Sequence, residues 1–384
     1  MRTAVMIVAA ALLAGPAVAH EFAAASAGTA AATPAAKPLP TREDGYFQEV
    51  VPVAEGVWML AQPGFQVQPV GNVTVVEQAD GLVLVDAGGS PGSGRRIVEL
   101  VRGLSPKPVK AVILTHWHGD HPQGLSEILR AWPRARTIAT AVTREHLRTP
   151  KTMNSPAAPD PVRNAKFLEQ VRGFQSYIAG EEAKATNPTE KAGWGATLRM
   201  MNQYEIDMDG ALTQAPDEGF DERLLLDDPV RPVEAVHLGR ANTDGDALVW
   251  LPKQRVLATG DVVVAPFPYG FGSFSTEWLD VLDKVKVYDP AVLIPGHGPA
   301  QHDLAYVERV RALIVDVRRQ VRGAAAEGLS AADARKRVDV ADLRRGFTGD
   351  DPWLNRWFDQ FWTDPIVASA WKEAKGEPIT QGLN

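Results

Sequence analysis

His116-Trp117-His118-Gly119-Asp120-His121 sets three imidazoles and a carboxylate within six residues, directly behind the apolar run 109–115. A buried strand that ends in such a cluster is costly unless something binds the imidazoles and the carboxylate together. Neutral imidazole and carboxylate are the donors that suit zinc and similar divalent ions. Residues two apart in an extended segment project to the same side, so His116 and His118 can share one ion. Asp120 and His121 then turn away to serve a second. Pro122 follows, and proline at a first helical position predicts a helix over 122–131. Chance clustering of surface histidines explains the pattern less well than a metal site does.

Outward from this stretch the chain alternates strand and helix. Short β-branched or aromatic runs at 50–53, 57–61, 73–78 and 82–86 predict strands, the last after the turn signal Ala79-Asp80-Gly81. The Gly-rich loop 88–94 leads into a helix at 95–101. It lacks the Gly-Lys-Ser/Thr ending of a phosphate cradle, so a tight strand-to-helix turn is expected. Residues 144–220 break the rhythm with a Pro-rich loop and helical patterns at 164–178 and 196–204. This predicts a mostly helical insertion, either lining a substrate cleft or serving stability alone. Strands return at 233–238, 247–251, 256–260 and 291–295. From about Asp303 the chain reads as helical, with an amphipathic pattern at 306–322. In the tail, Trp353, Trp357, Phe358, Phe361 and Trp362 recur at three- and four-residue spacing. That spacing predicts a packing face, on the body or on a second copy of the chain.

Three later strand ends also carry polar residues: Asn242, Asp261 and His297. The order of motifs resembles the metallo-β-lactamase superfamily of metallohydrolases. The matching marks are Leu84-Val85-Asp86, the HxHxDH motif, the loop from Gly239 through Thr243 to Gly245-Asp246, Thr259-Gly260-Asp261, and Pro295-Gly296-His297-Gly298; they cover about residues 45–300. The resemblance implies an α/β fold, an αββα sandwich with metals at one end of two packed sheets, here carrying a helical insertion and a helical C-terminal extension. Residues 45–302 would form that domain and 303–384 the extension. Carried over, His116 and His118 belong to a first metal, Asp120, His121 and His297 to a second, and Asp261 bridges them. Asp86 would shape the loops below the metals rather than ligate. The chain departs from the family at Asn242, where a histidine usually precedes the threonine. An amide oxygen is a weaker zinc donor than imidazole, so Asn242 would give the first site an incomplete set. His237 lies within the preceding strand and is expected at the edge of the core.

The implied chemistry is metal-dependent hydrolysis, with zinc (one or two ions) or, alternatively, manganese or iron. A divalent ion lowers the pKa of bound water from about 15.7 to about 7. Asp120 would orient the nucleophile and carry a proton to the leaving group. The hydrolytic reading needs no serine nucleophile, and no cysteine offers another. Phe65 and Val67, at the tip of loop 62–70, and Tyr269, in Pro266-Phe267-Pro268-Tyr269-Gly270-Phe271, are the candidate substrate contacts. An apolar rim favours a small ester, lactone, thioester or amide. Asp261 at the bridge argues against a true β-lactamase, where cysteine or serine is expected. Asn242 argues against iron–oxygen chemistry, which relies on the missing histidine. The remaining ligands argue against a non-catalytic metal binder.

Composition bounds the rest. The formal charge of −7 and pI near 5.7 disfavour a nucleic-acid partner, which demands clustered Lys/Arg. Residues 1–19 read as a signal peptide: Arg2, an apolar stretch too short to span a bilayer, then Ala17-Val18-Ala19. Residues 20–44, rich in Ala, Thr and Pro, read as a disordered leader. The expectation is a periplasmic or secreted protein without stable membrane insertion. His20 and His146, lacking ligand-like neighbours, are expected on the surface.

Overall fold

A computed structural model describes residues 49–68, 70–148, 161–208 and 211–381. The signal, leader and most of the Pro-rich loop expected from the sequence lie outside these residues. Strands β1 (Glu49–Ala54), β2 (Val57–Ala61), β3 (Val73–Glu77) and β4 (Leu82–Val85) form an antiparallel meander. To it β5 (Val109–Ile113), β6 (Arg136–Thr140) and β7 (Glu218–Phe220) add in parallel, giving seven strands in sequential order. The second sheet has five strands. In it β8 (Arg223–Leu226), β9 (Val233–Val236), β10 (Leu248–Leu251) and β11 (Val256–Ala258) are antiparallel, and β12 (Val292–Ile294) pairs in parallel with β11.

Alternation along the strands builds three apolar layers. Val83 and Val85 of β4 face Val249 and Leu251 of β10 in the core between the sheets, while Leu82 and Leu84 turn outward. There they meet Ile97 and Val101 of α1 (Pro91–Leu104) and Ile128 of α2 (Leu125–Ala131). On the far side of the second sheet, Leu248, Leu257 and Leu293 meet helical residues including Trp278, Val281 and Leu282. The architecture is the expected αββα sandwich. Ser90 caps α1 by accepting from Ser93 N while the Ser93 side chain returns the bond, and Pro91 occupies the first turn.

The predicted helix at 122–131 starts later, at Leu125. Pro122 instead sits in a turn: it forms a bridge with Gly88, and its carbonyl accepts from Leu125 N at 3.1 Å. Among its described residues the segment 144–220 carries α3 (Ala141–Arg148), α4 (Pro161–Lys184) and α5 (Pro188–Asp207), but its end returns to the first sheet as β7. Beyond Asp261 follow α6 (Ser275–Tyr288), α7 (Ala305–Ala326), α8 (Ala331–Arg337), α9 (Ala341–Thr348), α10 (Pro352–Phe358), a π-helical turn (Asp359–Thr363) and α11 (Asp364–Lys375). The aromatic tail packs on the body: Trp353, Trp357, Phe358, Phe361 and Trp362 are all buried in the same core cluster as α6 and α7. Trp194 of α5 meets Trp353 and Trp357 at ring distances of 5.0 and 5.4 Å. Insertion and extension thus share one layer. Among the described residues no helix is long and apolar enough to cross a membrane.

Candidate metal centre

The ligand-bearing loops leave both sheets at the same end. Past β5, Thr115 donates its N–H to Asp86 Oδ1 at 2.8 Å and its hydroxyl to Oδ2 at 2.8 Å. Asp86 sits at φ 68°, a conformation that non-glycine residues rarely adopt and that surrounding structure must enforce. Its Oδ2 also lies 2.8 Å from His121 Nδ1. A carboxylate on one ring nitrogen fixes the tautomer and aims the other nitrogen away from it, the usual arrangement behind a metal-bound histidine. Asp86 therefore orients His121, a more specific role than shaping the loops.

Two clusters converge beyond it: His116 with His118 and Asp261, and Asp120 with His121 and His297, the candidate ligand atoms of each lying within 4.8 Å of one another. His116 Nε2 stands 3.1 Å from His118 Nδ1 and 3.6 Å from Asp261 Oδ2. In the second cluster Asp261 Oδ1 is 3.3 Å from His121 Nε2 and 3.4 Å from His297 Nε2, while Asp120 Oδ2 is 3.0 Å from His297 Nε2. Asp261 thus faces both clusters. His121 Nε2, His297 Nε2 and Asp261 Oδ1 are buried, yet none makes a hydrogen bond of good geometry among the described residues. Buried polar atoms that converge without bonding one another require a further partner. Imidazole nitrogens and carboxylate oxygens arranged so fit divalent cations. Gly296 is required beside them, because a Cβ there would fall 2.0 Å from Asp261 Oδ1.

The clusters differ in charge. Burial, with His121 nearby, holds His116 well below the usual histidine range, and burial lowers His118 as well. Both are neutral, ready donors. Burial also works against protonation of His297, but Asp261 and Asp120 overcome it and raise it to about 9. His121 is likewise raised well above its ordinary value, by Asp120, Asp86 and Asp261 against the cost of burial. Burial opposes ionisation of Asp120, yet His121 and His297 hold it at about 2. At neutral pH the metal-free second cluster is thus a set of imidazolium and carboxylate ions, and a cation must expel protons to bind there. Below pH 9 each such proton makes affinity rise by about tenfold per pH unit. Zinc titrations at pH 6 and pH 8 are expected to show markedly tighter binding at pH 8, with proton release; equal affinities at the two values would contradict this charge assignment.

The Asn242 loop is organised by buried Asp246, whose Oδ2 accepts from Ala241 N at 3.2 Å and Thr243 N at 2.9 Å, and whose Oδ1 accepts from Thr243 Oγ1 at 2.7 Å. Asn242 is fully buried and donates Nδ2 to the Tyr269 carbonyl at 3.2 Å. His237 stays outside the clusters, half-buried with Nδ1 on the Asp246 carbonyl at 2.8 Å. His146 is not the plain surface residue expected. Its Nε2 meets Asp244 at 2.9 Å, and its ring lies 5.2 Å from Trp117, which in turn lies 4.5 Å from His118.

Of the substrate contacts expected from the sequence, the Tyr269 ring lies 5.2 Å from that of His297. Burial, with Asp261 and Asp120 beside it, pushes the Tyr269 phenol well above its ordinary value, so it stays a donor. Phe65 is a step further out, against Phe267 at 5.1 Å and Phe361 at 5.6 Å. Sequence reasoning missed two residues. Asn72 donates Nδ2 to the Pro295 and Gly298 carbonyls at 2.9 and 2.8 Å and so pins the His297 loop. Tyr204 of α5 is raised by burial and by the charge of Asp120, which brings the insertion into electrostatic reach of the centre. An asparagine just before a strand and a tyrosine in a helical pattern carry no motif that could have singled them out.

The family model described as the metallo-beta-lactamase superfamily matches residues 68–297. The chain belongs to that superfamily. Among its relatives, the linear primary-alkylsulfatase of Pseudomonas sp. (strain ATCC 19151) is 25% identical over 244 residues, covering 62% of this chain and 43% of the relative. A metallo-beta-lactamase type 2 of Bacillus cereus is 22% identical over 253 residues, covering 64% of this chain and 74% of the relative. The sec-alkylsulfatase Pisa1 of Pseudomonas sp. shares the fold with a TM-score of 0.59 at 16% identity, over 84% of this chain and 49% of its own. The chain thus spans less than half the length of each of these alkylsulfatases. The superfamily match covers both metal clusters and leaves the C-terminal extension outside it.

Proposed function

We propose that this superfamily member is a zinc-dependent hydrolase that cleaves an acyl bond (ester, lactone, thioester or amide) in a small, uncharged or amphipathic substrate, and that it works after export. The reading is carried by the convergence of six His and Asp side chains into two clusters that share Asp261. A divalent ion held by these residues would make hydroxide available near neutral pH and would polarise the oxygen of the electrophilic carbonyl. The protein's own groups do the rest. Asp120 is the least enclosed carboxylate of the centre, with 15% of its side chain exposed, and it is ionised at neutral pH. It can take a proton from attacking water and pass it to the leaving group. Asp86 keeps His121 aimed, and the protonated Tyr269 phenol can donate to an oxyanion. The half-buried aromatic side chains of Phe65 and Phe271 favour an apolar substituent on the substrate.

A second reading is hydrolysis of an alkyl sulfate ester. Its support is the pair of alkylsulfatases among the relatives. A panel of aryl esters, lactones, thioesters, β-lactams and alkyl sulfates separates the two readings. His118→Ala and treatment with a chelator are each expected to remove turnover of whichever substrate responds. Undiminished turnover in either case would refute the hydrolytic role of the centre.

A further inference from the structure

Pro365 stands four residues after Phe361. In an α-helix the Phe361 carbonyl would accept from the N–H of residue 365, and proline has none. The chain forms a π-helical turn there, over Asp359–Thr363, with Asp364 N–H reaching back to the Asp359 carbonyl. Single π turns of this kind recur at functional sites. The released Phe361 carbonyl accepts instead from Gly270 N at 2.7 Å, across the boundary between the C-terminal extension and the metallo-β-lactamase domain.

The other end of that same peptide unit is the Tyr269 carbonyl, which accepts from Asn242 Nδ2 at 3.2 Å. A trans peptide is planar and rigid, and its N–H and C=O point in opposite directions. One plane therefore runs from the π turn to Asn242. It is held tightly, since a Cβ on Gly270 would lie 2.9 Å from the Trp362 carbonyl oxygen and 3.0 Å from Ile366 Cβ. With Nδ2 engaged by Tyr269, the atom of the amide left buried and unpartnered among the described residues is Oδ1. An amide rotated the other way would offer N–H donors, which repel a cation.

We infer that the C-terminal extension is a positioning element of the metal centre. The Tyr269–Gly270 peptide, anchored by the Phe361 carbonyl, fixes the Asn242 amide so that its oxygen is the free donor. This rests on a two-ion reading of the proposed hydrolase, in which each of the two clusters holds one cation. It assigns a job to a part of the chain that lies outside the superfamily match.

Cobalt(II) titration of the metal-free full-length chain, followed by visible absorption and paired with thermal melting, tests the inference. The native chain is expected to take up two equivalents, one more weakly. Gly270→Ala is expected to weaken the weaker step by about tenfold, the scale seen when a group supporting a ligand is lost. The stronger step should stay unchanged. Asn242→Ala should give a similar loss, and the double variant no more than either single one, because both act on one element. Deleting Gln360, which removes the extra residue of the π turn, carries the same expectation if Gly270→Ala does not fold. A folded variant with both steps unchanged, or losses that add in the double variant, would overturn the inference. A native chain that takes up fewer than two equivalents would overturn the two-ion reading itself.

Discussion

Asp261→Ala is expected to cost both cation sites at once and bring hydrolysis below detection. Oδ2 faces His116 at 3.6 Å, and Oδ1 faces His121 and His297 at 3.3 and 3.4 Å, so one side chain serves both clusters. Loss of a group that merely supports a ligand weakens metal binding by about ten- to a hundredfold, and loss of the bridge should exceed that for each ion. The metal-free protein should suffer too. Asp261 is ionised well below the ordinary range, because His297, His121 and His116 outweigh the opposing effect of burial. Its removal leaves raised, buried histidines short of a counter-ion, a change that costs on the order of 3–5 kcal/mol when a buried pair is broken. Elemental analysis and urea unfolding read the two effects separately. Two ions retained at native affinity would show that Asp261 does not bridge.

Trp362→Ala should destabilise the whole protein by about 3–5 kcal/mol, the range for a large buried aromatic cut to alanine. Trp362 is fully buried, and its ring lies 5.9 Å from Trp278, itself fully buried. Trp278 donates Nε1 to the Val262 carbonyl at 3.0 Å, next to Asp261. The cavity would therefore open behind the metal loop. If the extension were only an appendage, the urea midpoint of the sandwich would hardly move, and a loss below about 1 kcal/mol would establish that.

Much of this was legible in the sequence. The meeting of the HxHxDH stretch with Asp261 and His297 could be anticipated because candidate metal ligands are few in kind and sit at strand ends. The sandwich was legible through the family resemblance that the order of motifs carries rather than through strand alternation, for Leu82–Val85 is apolar and buried throughout. Helix boundaries were harder. The rule that favours proline at a helix start placed one at Pro122, but the bridge to Gly88 holds that residue in a turn and delays the helix to Leu125. Long-range pairings were invisible. Neither the His146–Asp244 contact nor the bonds of Asn72 to Pro295 and Gly298 leave a local pattern. The aromatic tail announced a buried face but not what would bury it, because spacing along a helix says nothing of the surface opposite.

The metal loops hang from two different sheets, with His116 to His121 following β5 and Asp261 and His297 following β11 and β12. That division sets an order of assembly. The complete donor set exists only once the two halves of the sandwich have docked, so an ion captured by both halves arrives after the fold rather than nucleating it. Tight metal uptake during refolding would thus serve as a clock hand for the last event, the closing of one sheet upon the other.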